Sequence, residues 1–190
     1  ALTSSPIVKK ISFTGSTLVG KFLVRSCADN LTKLSLELGG NAPFIVFDDA
    51  DFDDALLGVQ ICKYRNSGQT CISANRILVH SKLHDRFVEA LSNCAAKLIS
   101  GLGTEDGVTQ GPLIESRAME KVERLVKDAI DKGATLVTGG KRHELGGTFY
   151  EPTVLCDVTN EMAIVHEEIF GPVAAIMRFE TEDEAISIAN

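Results

Sequence analysis

Four short segments of this chain carry residue types whose order could do chemistry. In Phe13-Thr14-Gly15-Ser16-Thr17-Leu18-Val19-Gly20, a strand pattern runs into a Gly-Ser-Thr turn and then a helix pattern. Amides and hydroxyls at a helix N-terminus suit a phosphate group. The spacing is not G-x-G-x-x-G, and Ser16 would serve equally well as an ordinary helix cap. Glu37 closes a strand beside Leu38-Gly39-Gly40, where it is either a general base in a cleft or a solvated strand glutamate. Tyr64-Arg65-Asn66-Ser67-Gly68-Gln69-Thr70-Cys71 is a polar loop ending in a thiol. A thiolate there could attack a carbonyl; the other reading is a small buried thiol. In Glu167-Glu168-Ile169-Phe170-Gly171-Pro172, Glu168 could bind ribose hydroxyls and Phe170 could pack on a flat ring. The same residues also make a plain turn with a buried phenylalanine. His80, His84, His143 and His166 are scattered without H-E-x-x-H spacing, so surface or strand-edge roles are expected and neither a metal site nor a Cys–His dyad is signalled.

The elements that must hold these residues follow from hydropathy period and turn chemistry. Strands are expected at Ile11 to Phe13, Thr32 to Leu38, Pro43 to Phe47 (buried), Arg76 to His80, Ala134 to Thr138, Thr153 to Cys156 and Val173 to Phe179. Helices are expected at Lys21 to Ala28, Asp51 to Tyr64 and Leu83 to Ile99. A further helix carries an apolar stripe of Met119, Val122, Val126, Ala129 and Ile130 and ends at Gly133. Strands alternating with helices give an α/β fold, with a mainly parallel sheet flanked by helices. The best boundary is Gly39-Gly40, where a strand stops at a doubly flexible point.

Composition narrows the partners. The 190 residues are 44% hydrophobic and 24% charged, with net charge −7 and no basic stripe, so no nucleic-acid partner is expected. The acidic run Asp48 to Asp54 reads as a solvated loop and helix start. No apolar stretch approaches membrane-spanning length, and no membrane partner is expected. Five cysteines without C-x-x-C spacing suit reduced thiols in an intracellular protein, cytoplasmic or mitochondrial. The chain begins at Ala1 rather than a methionine, which leaves room for a targeting segment. Thr181 to Glu184 has capping-box spacing before a helix of about two turns, which reads as a cut rather than a natural end.

Taken together and in order, FTGSTLVG, LELGGNAPFIVF, NSGQTC, QGPLI and EEIFGPV closely resemble the aldehyde dehydrogenase family. The resemblance implies that Cys71 is the nucleophile, its own amide being one donor to the oxyanion, and that Glu37 is the general base. It implies that Ser16 contacts the pyrophosphate of NAD or NADP, that the Leu38 carbonyl holds the nicotinamide amide, and that Glu168 and Phe170 contact the ribose and nicotinamide. Residues 1–38 then resemble the C-terminal part of the NAD(P)-binding domain, and residues 39–190 a catalytic domain truncated at its C-terminus. KYRNSGQTCISANRILVH, DAIDKGA and VTGGKRHELGGTFYEPTVL are similar to succinate-semialdehyde dehydrogenases, with glutarate-semialdehyde dehydrogenases sharing the pattern. That implies an aldehyde substrate with a distal carboxylate held by Arg65, and a homo-oligomer in the full-length parent. Some members carry a second cysteine two residues after the nucleophile; Ser73 stands there, so no disulfide switch at that position is expected. Readings of another class are a truncated non-catalytic interaction module and a cofactor-independent thiol esterase.

Overall fold

The computed structural model describes residues 1–190, which form two compact units, Ala1–Gly40 and Asn41–Asn190. The first holds β1 (Lys10–Thr14), α1 (Thr17–Cys27) and β2 (Lys33–Glu37). β1 and β2 pair in parallel with Thr14 opposite Glu37. α1 begins four residues before the expected Lys21. Ser16 is extended (φ −69°, ψ 148°) and its hydroxyl accepts the Val19 amide at 3.3 Å, so the Gly-Ser-Thr turn is itself the helix start.

The second unit carries β3 (Pro43–Val46), α2 (Phe52–Tyr64), β4 (Arg76–His80), α3 (Ser81–Ala95), α4 (Ser116–Asp131), β5 (Thr135–Thr138), β6 (Thr153–Cys156), β7 (Val173–Phe179) and α5 (Glu182–Ala189). Its sheet has the order β3-β4-β7-β6-β5, parallel except for the antiparallel edge pair β5–β6. The α/β class with a mainly parallel, helix-flanked sheet is therefore the observed architecture. Central strands bury both faces, and the two-residue period sorts their side chains between two cores. Leu78, Leu155, Val173, Ala175, Met177 and Phe179 pack with Met119, Val122, Leu125, Val126 and Ala129 of α4. Ile77, Val79, Val154, Ala174 and Ile176 pack on the other face with Val59 and Tyr64 of α2 and with Phe87, Val88 and Leu91 of α3. No helix is long and apolar enough to cross a membrane.

Several boundaries move for identifiable reasons. β3 is an edge strand and only half-buried, which accommodates Pro43, a residue without an amide donor. α3 ends at Ala95 instead of Ile99, because the Lys97 and Leu98 amides bond only three residues back and the Ile99 amide donates to the Thr109 hydroxyl at 3.1 Å rather than to Ala95. Thr181 caps α5 through the Glu184 amide at 3.2 Å, but the Glu184 carboxylate reaches back to the Glu180 amide rather than to that of Thr181. In α4 the buried stripe includes Leu125 (0% exposed), while Ile130 stands 40% exposed at the rim. Leu125→Ala should therefore cost about 2–5 kcal/mol of unfolding free energy, whereas Ile130→Ala should stay within about 0.5–1 kcal/mol. Urea unfolding of both variants checks the ranking, and equal losses would contradict it.

Candidate active site

The loop after α2 is built by backbone geometry that few residues allow. Arg65 leaves the helix at φ −54°, ψ 132°, and Asn66, Ser67 and Gly68 then follow in the left-handed region at φ 54°, 54° and 72°. A β carbon on Gly68 would collide with the backbone carbonyl of Gly171, so only glycine lets the two chains touch. The Ser67 hydroxyl donates to the Gly111 carbonyl at 2.9 Å and accepts the Gly111 amide at 3.1 Å. Gln69 donates to the Pro112 carbonyl at 3.2 Å and accepts the Ile114 amide at 2.9 Å, and Gln110 donates to the Tyr64 carbonyl at 3.0 Å. The Gln110-to-Ile114 segment is thus a brace for the loop. On it stand Arg65 and Cys71, both exposed. Cys71 is a free thiol at the start of a turn closed by the Ser73 amide on the Thr70 carbonyl at 3.1 Å. Its own amide makes no hydrogen bond within the chain, which leaves it able to donate to an oxyanion.

The other cysteines are placed differently. Cys27 is buried in α1, and Cys94 and Cys62 are half-buried in α3 and α2. Cys156 is buried in β6, and burial, helped by the neighbouring Asp157 carboxylate, pushes its thiol up to about 11.

The segment preceding β7 lies beside this loop because β4 and β7 are adjacent parallel strands and the two loops enter at the same end of the sheet. Asn75, 3% exposed, welds them together. Its amide donates to Asn41 Oδ1 at 2.8 Å and to the carbonyls of Ile164 and Glu167 at 3.2 and 3.0 Å; its oxygen accepts the Ile169 amide at 2.7 Å. Sequence reading missed Asn75, whose only signal is a polar residue directly before a strand. Glu167 is held by a two-pronged contact from Arg124 at 3.0 and 2.6 Å, which lowers its carboxyl below the ordinary range. Phe170 is half-exposed with φ 53°. Glu168, half-buried, favours the charged form of two lysines. One is Lys63 on the last turn of α2, fully enclosed, with its ammonium donating to the Ala74 carbonyl at 2.9 Å. Burial pulls Lys63 down to about 7, against the opposing pull of Cys62 and Glu168. The other is Lys121 on α4, lowered by burial and partly restored by Glu168 and Glu167.

Within Ala1–Gly40, the parallel pairing of β1 and β2 brings Ser16 and Glu37 to one strand end, where the Gly15 amide donates to the Glu37 carbonyl at 3.0 Å. Glu37 is exposed, and the Leu38 side chain packs against Gly20, where an added β carbon would stand 2.7 Å from it. Ser16, exposed at the N-terminus of α1, suits a phosphate. In the second unit a half-exposed ring at Phe170 and a carboxylate at Glu168 suit the aromatic and ribose parts of a nucleotide. The residues present therefore fit a dinucleotide in type. No group of three or more His, Cys, Asp or Glu side chains is arranged to hold a metal ion. The histidines do not all stay at the surface as expected. His84 is 2% exposed, with Nδ1 2.8 Å from Asp85 and 2.9 Å from Arg178, because the first turn of α3 packs inward. His80 is nearly buried and caps that helix through the Lys82 amide.

The family model described as "Aldehyde dehydrogenase family" matches residues 1–190, and the chain belongs to that family. It is 56% identical over 189 residues to 3-sulfolactaldehyde dehydrogenase of Pseudomonas putida, covering 100% of this chain and 39% of that protein. It is 58% identical over 190 residues to the mitochondrial succinate-semialdehyde dehydrogenase of Arabidopsis thaliana, covering 100% of this chain and 36% of that protein. The crystal structure of succinate-semialdehyde dehydrogenase from Burkholderia pseudomallei superposes with a TM-score of 0.98 at 54% identity, over 100% of this chain and 39% of that one. The chain thus spans between a third and two fifths of the length of these relatives.

The buried lysine has a consequence for stability. The unfolded chain holds a proton on Lys63 up to about pH 10.5, and the folded chain releases it near 7. Over that interval the unfolded state binds more protons, so stability rises with pH. Cys156 acts oppositely, beginning near its ordinary 9. Urea midpoints should therefore climb between about pH 7 and 9 in the native protein, and Lys63→Met should flatten the climb. An unchanged slope in the variant would show that Lys63 is not its source.

Proposed function

We propose that the whole protein oxidises an aldehyde to a carboxylic acid with NAD or NADP, with residues 1–38 serving as the tail of the cofactor domain and residues 39–190 as the catalytic domain. Support comes from family membership together with one observation, an exposed free thiol at Cys71 with an uncommitted amide, on a loop fixed against the Glu168–Phe170 turn. When bound, the nicotinamide supplies the hydride acceptor. The Cys71 thiolate adds to the aldehyde carbon, making a thiohemiacetal whose oxyanion the Cys71 amide receives. Loss of hydride leaves a thioester on Cys71. Glu37 takes a proton from water, which attacks the thioester carbon; the C–S bond breaks, releasing the acid and restoring the thiolate. Ser16, the Leu38 carbonyl, Glu168 and Phe170 orient the dinucleotide in this reading, and the full-length protein works as a homo-oligomer.

Succinate semialdehyde is the proposed substrate, with glutarate semialdehyde or another aldehyde as the alternative. Arg65 carries this assignment. It is exposed six residues before Cys71 on the same braced loop, and a guanidinium forks onto a carboxylate at the far end of the substrate. The names of the two curated relatives fit, since each denotes an aldehyde bearing an acid group, a carboxylate or a sulfonate. In the full-length enzyme, Cys71→Ala should abolish aldehyde-dependent NAD(P) reduction. Arg65→Met should raise KM for succinate semialdehyde about tenfold to a hundredfold, with little change for an uncharged aldehyde of similar length. Residual turnover in Cys71→Ala would sink the mechanism. An equal effect of Arg65→Met on both aldehydes would sink the substrate assignment alone.

A further inference from the structure

One side chain grips the peptide groups on both sides of Glu168. The Glu167 carbonyl, in the peptide before Glu168, accepts from Asn75 Nδ2 at 3.0 Å. The Ile169 amide, in the peptide after it, donates to Asn75 Oδ1 at 2.7 Å. The orientations of those two planar groups set φ and ψ of the residue between them. Holding both therefore fixes the direction in which the Glu168 side chain leaves the backbone. Asn75 is itself anchored. It stands four residues after Cys71 and directly before β4, with its backbone amide on the Ala42 carbonyl at 2.9 Å. Nδ2 also meets Asn41 Oδ1 at 2.8 Å and the Ile164 carbonyl at 3.2 Å, while Asn41 Nδ2 donates to the Val165 carbonyl at 2.7 Å. Three acceptors surround Nδ2 and one donor meets Oδ1, so only one orientation of the amide satisfies them all. At 3% exposure, water is poorly placed to replace a lost bond. A carboxylate of the same shape would turn an oxygen toward those three acceptors.

We propose that Asn75 is a positioning residue for the dinucleotide, which it does not itself touch. It aims the Glu168 carboxylate at the ribose next to the nicotinamide. Because Asn75 belongs to the chain that continues from Cys71 into β4, the same amide locates that ribose contact relative to the thiol loop. The inference rests on Glu168 as a ribose contact and adds the residue through which that contact is held.

The test is a double-mutant cycle in the full-length protein, with Kd for NAD, NADP and AMP measured by calorimetry. Wild type, Asn75→Ala, Asn75→Asp, Glu168→Gln and Asn75→Ala/Glu168→Gln are compared. Glu168→Gln removes a charge-assisted hydrogen bond and should raise Kd for the preferred dinucleotide about tenfold or more. Asn75→Ala and Asn75→Asp should each raise it by about the same factor. The double variant should stay within about twofold of Glu168→Gln, because the two residues act through one contact. AMP, which lacks the nicotinamide and its ribose, should bind all five proteins equally. In steady state, KM for the dinucleotide should rise with Kd, while KM for the aldehyde stays within about twofold of wild type. A folded Asn75→Ala with unchanged Kd overturns the proposal and leaves Glu168 as the ribose contact. Additive losses in the double variant, or weakened AMP binding, overturn it as well, since Asn75 would then act on the fold and not through Glu168. Failure of both position-75 variants to fold has the same consequence. If Glu168→Gln alone binds the dinucleotide like wild type, the ribose assignment falls, and the role of Asn75 falls with it.

Discussion

Two backbones touch where Gly68 meets Gly171, and most of the second unit's site geometry follows from that approach. A side chain at position 68 would occupy the space of the facing carbonyl, so the loop cannot be built with any other residue without retreating. To arrive there, the chain turns through three successive left-handed residues, two of them not glycine, each costing roughly 1 kcal/mol or more. Phe170 adds another left-handed residue on the opposite side. The surrounding hydrogen bonds over-determine these conformations: Ser67 and Gln69 are clamped by the 110–114 segment, and the Asn75 amide closes the gap with four bonds. Strain held by rigid neighbours is a common way to keep a reactive group in one orientation.

The two units place their candidate residues at opposite ends of their strands. In Ala1–Gly40, Ser16 follows β1 and Glu37 ends β2, at the carboxyl ends, where open parallel sheets ordinarily bind ligands. In Asn41–Asn190, the Cys71 loop and the Glu168 turn precede β4 and β7, at the amino ends. The reversal has a mechanical origin. α2 returns along the sheet and delivers its C-terminus to the start of β4, so the last turn of that helix, with Cys62 and Lys63, bonds the carbonyls of Ile72 and Ala74 just after Cys71.

The parts of the fold dictated by local pattern were legible in the sequence. β4, β6 and β7 fall on the expected residues because long apolar runs can be buried on both faces of a parallel sheet. The start of α1 and the end of α3 were not, since a serine cap and an amide captured by the Thr109 hydroxyl decide them. The site was legible mostly through family resemblance: by position alone Cys71 could as well be a packed thiol, and Arg65 a surface residue. Lys63 and Asn75 left no trace in hydropathy. Lys63 is enclosed because the chain offers it a carbonyl eleven residues later, and Asn75 matters through partners about ninety residues away. Such contacts exist only once the sheet has assembled.

The antiparallel strand β5 closes one side of the sheet, and its pairing with β6 breaks register between Leu136 and Thr138. Directly after it, Gly139 and Gly140 both take positive φ, with the Gly140 amide tied to the Thr153 hydroxyl at 2.8 Å. A regular outer strand with exposed Leu136 and Val137 would present an adhesive ladder of free amides and carbonyls to any other chain. The bulge skews that row and the glycines bend it away, so an incoming strand finds no continuous register. The irregularity that looks like a flaw in β5 thus acts as a guard against self-assembly during synthesis and crowding, when unpaired sheet edges are most exposed.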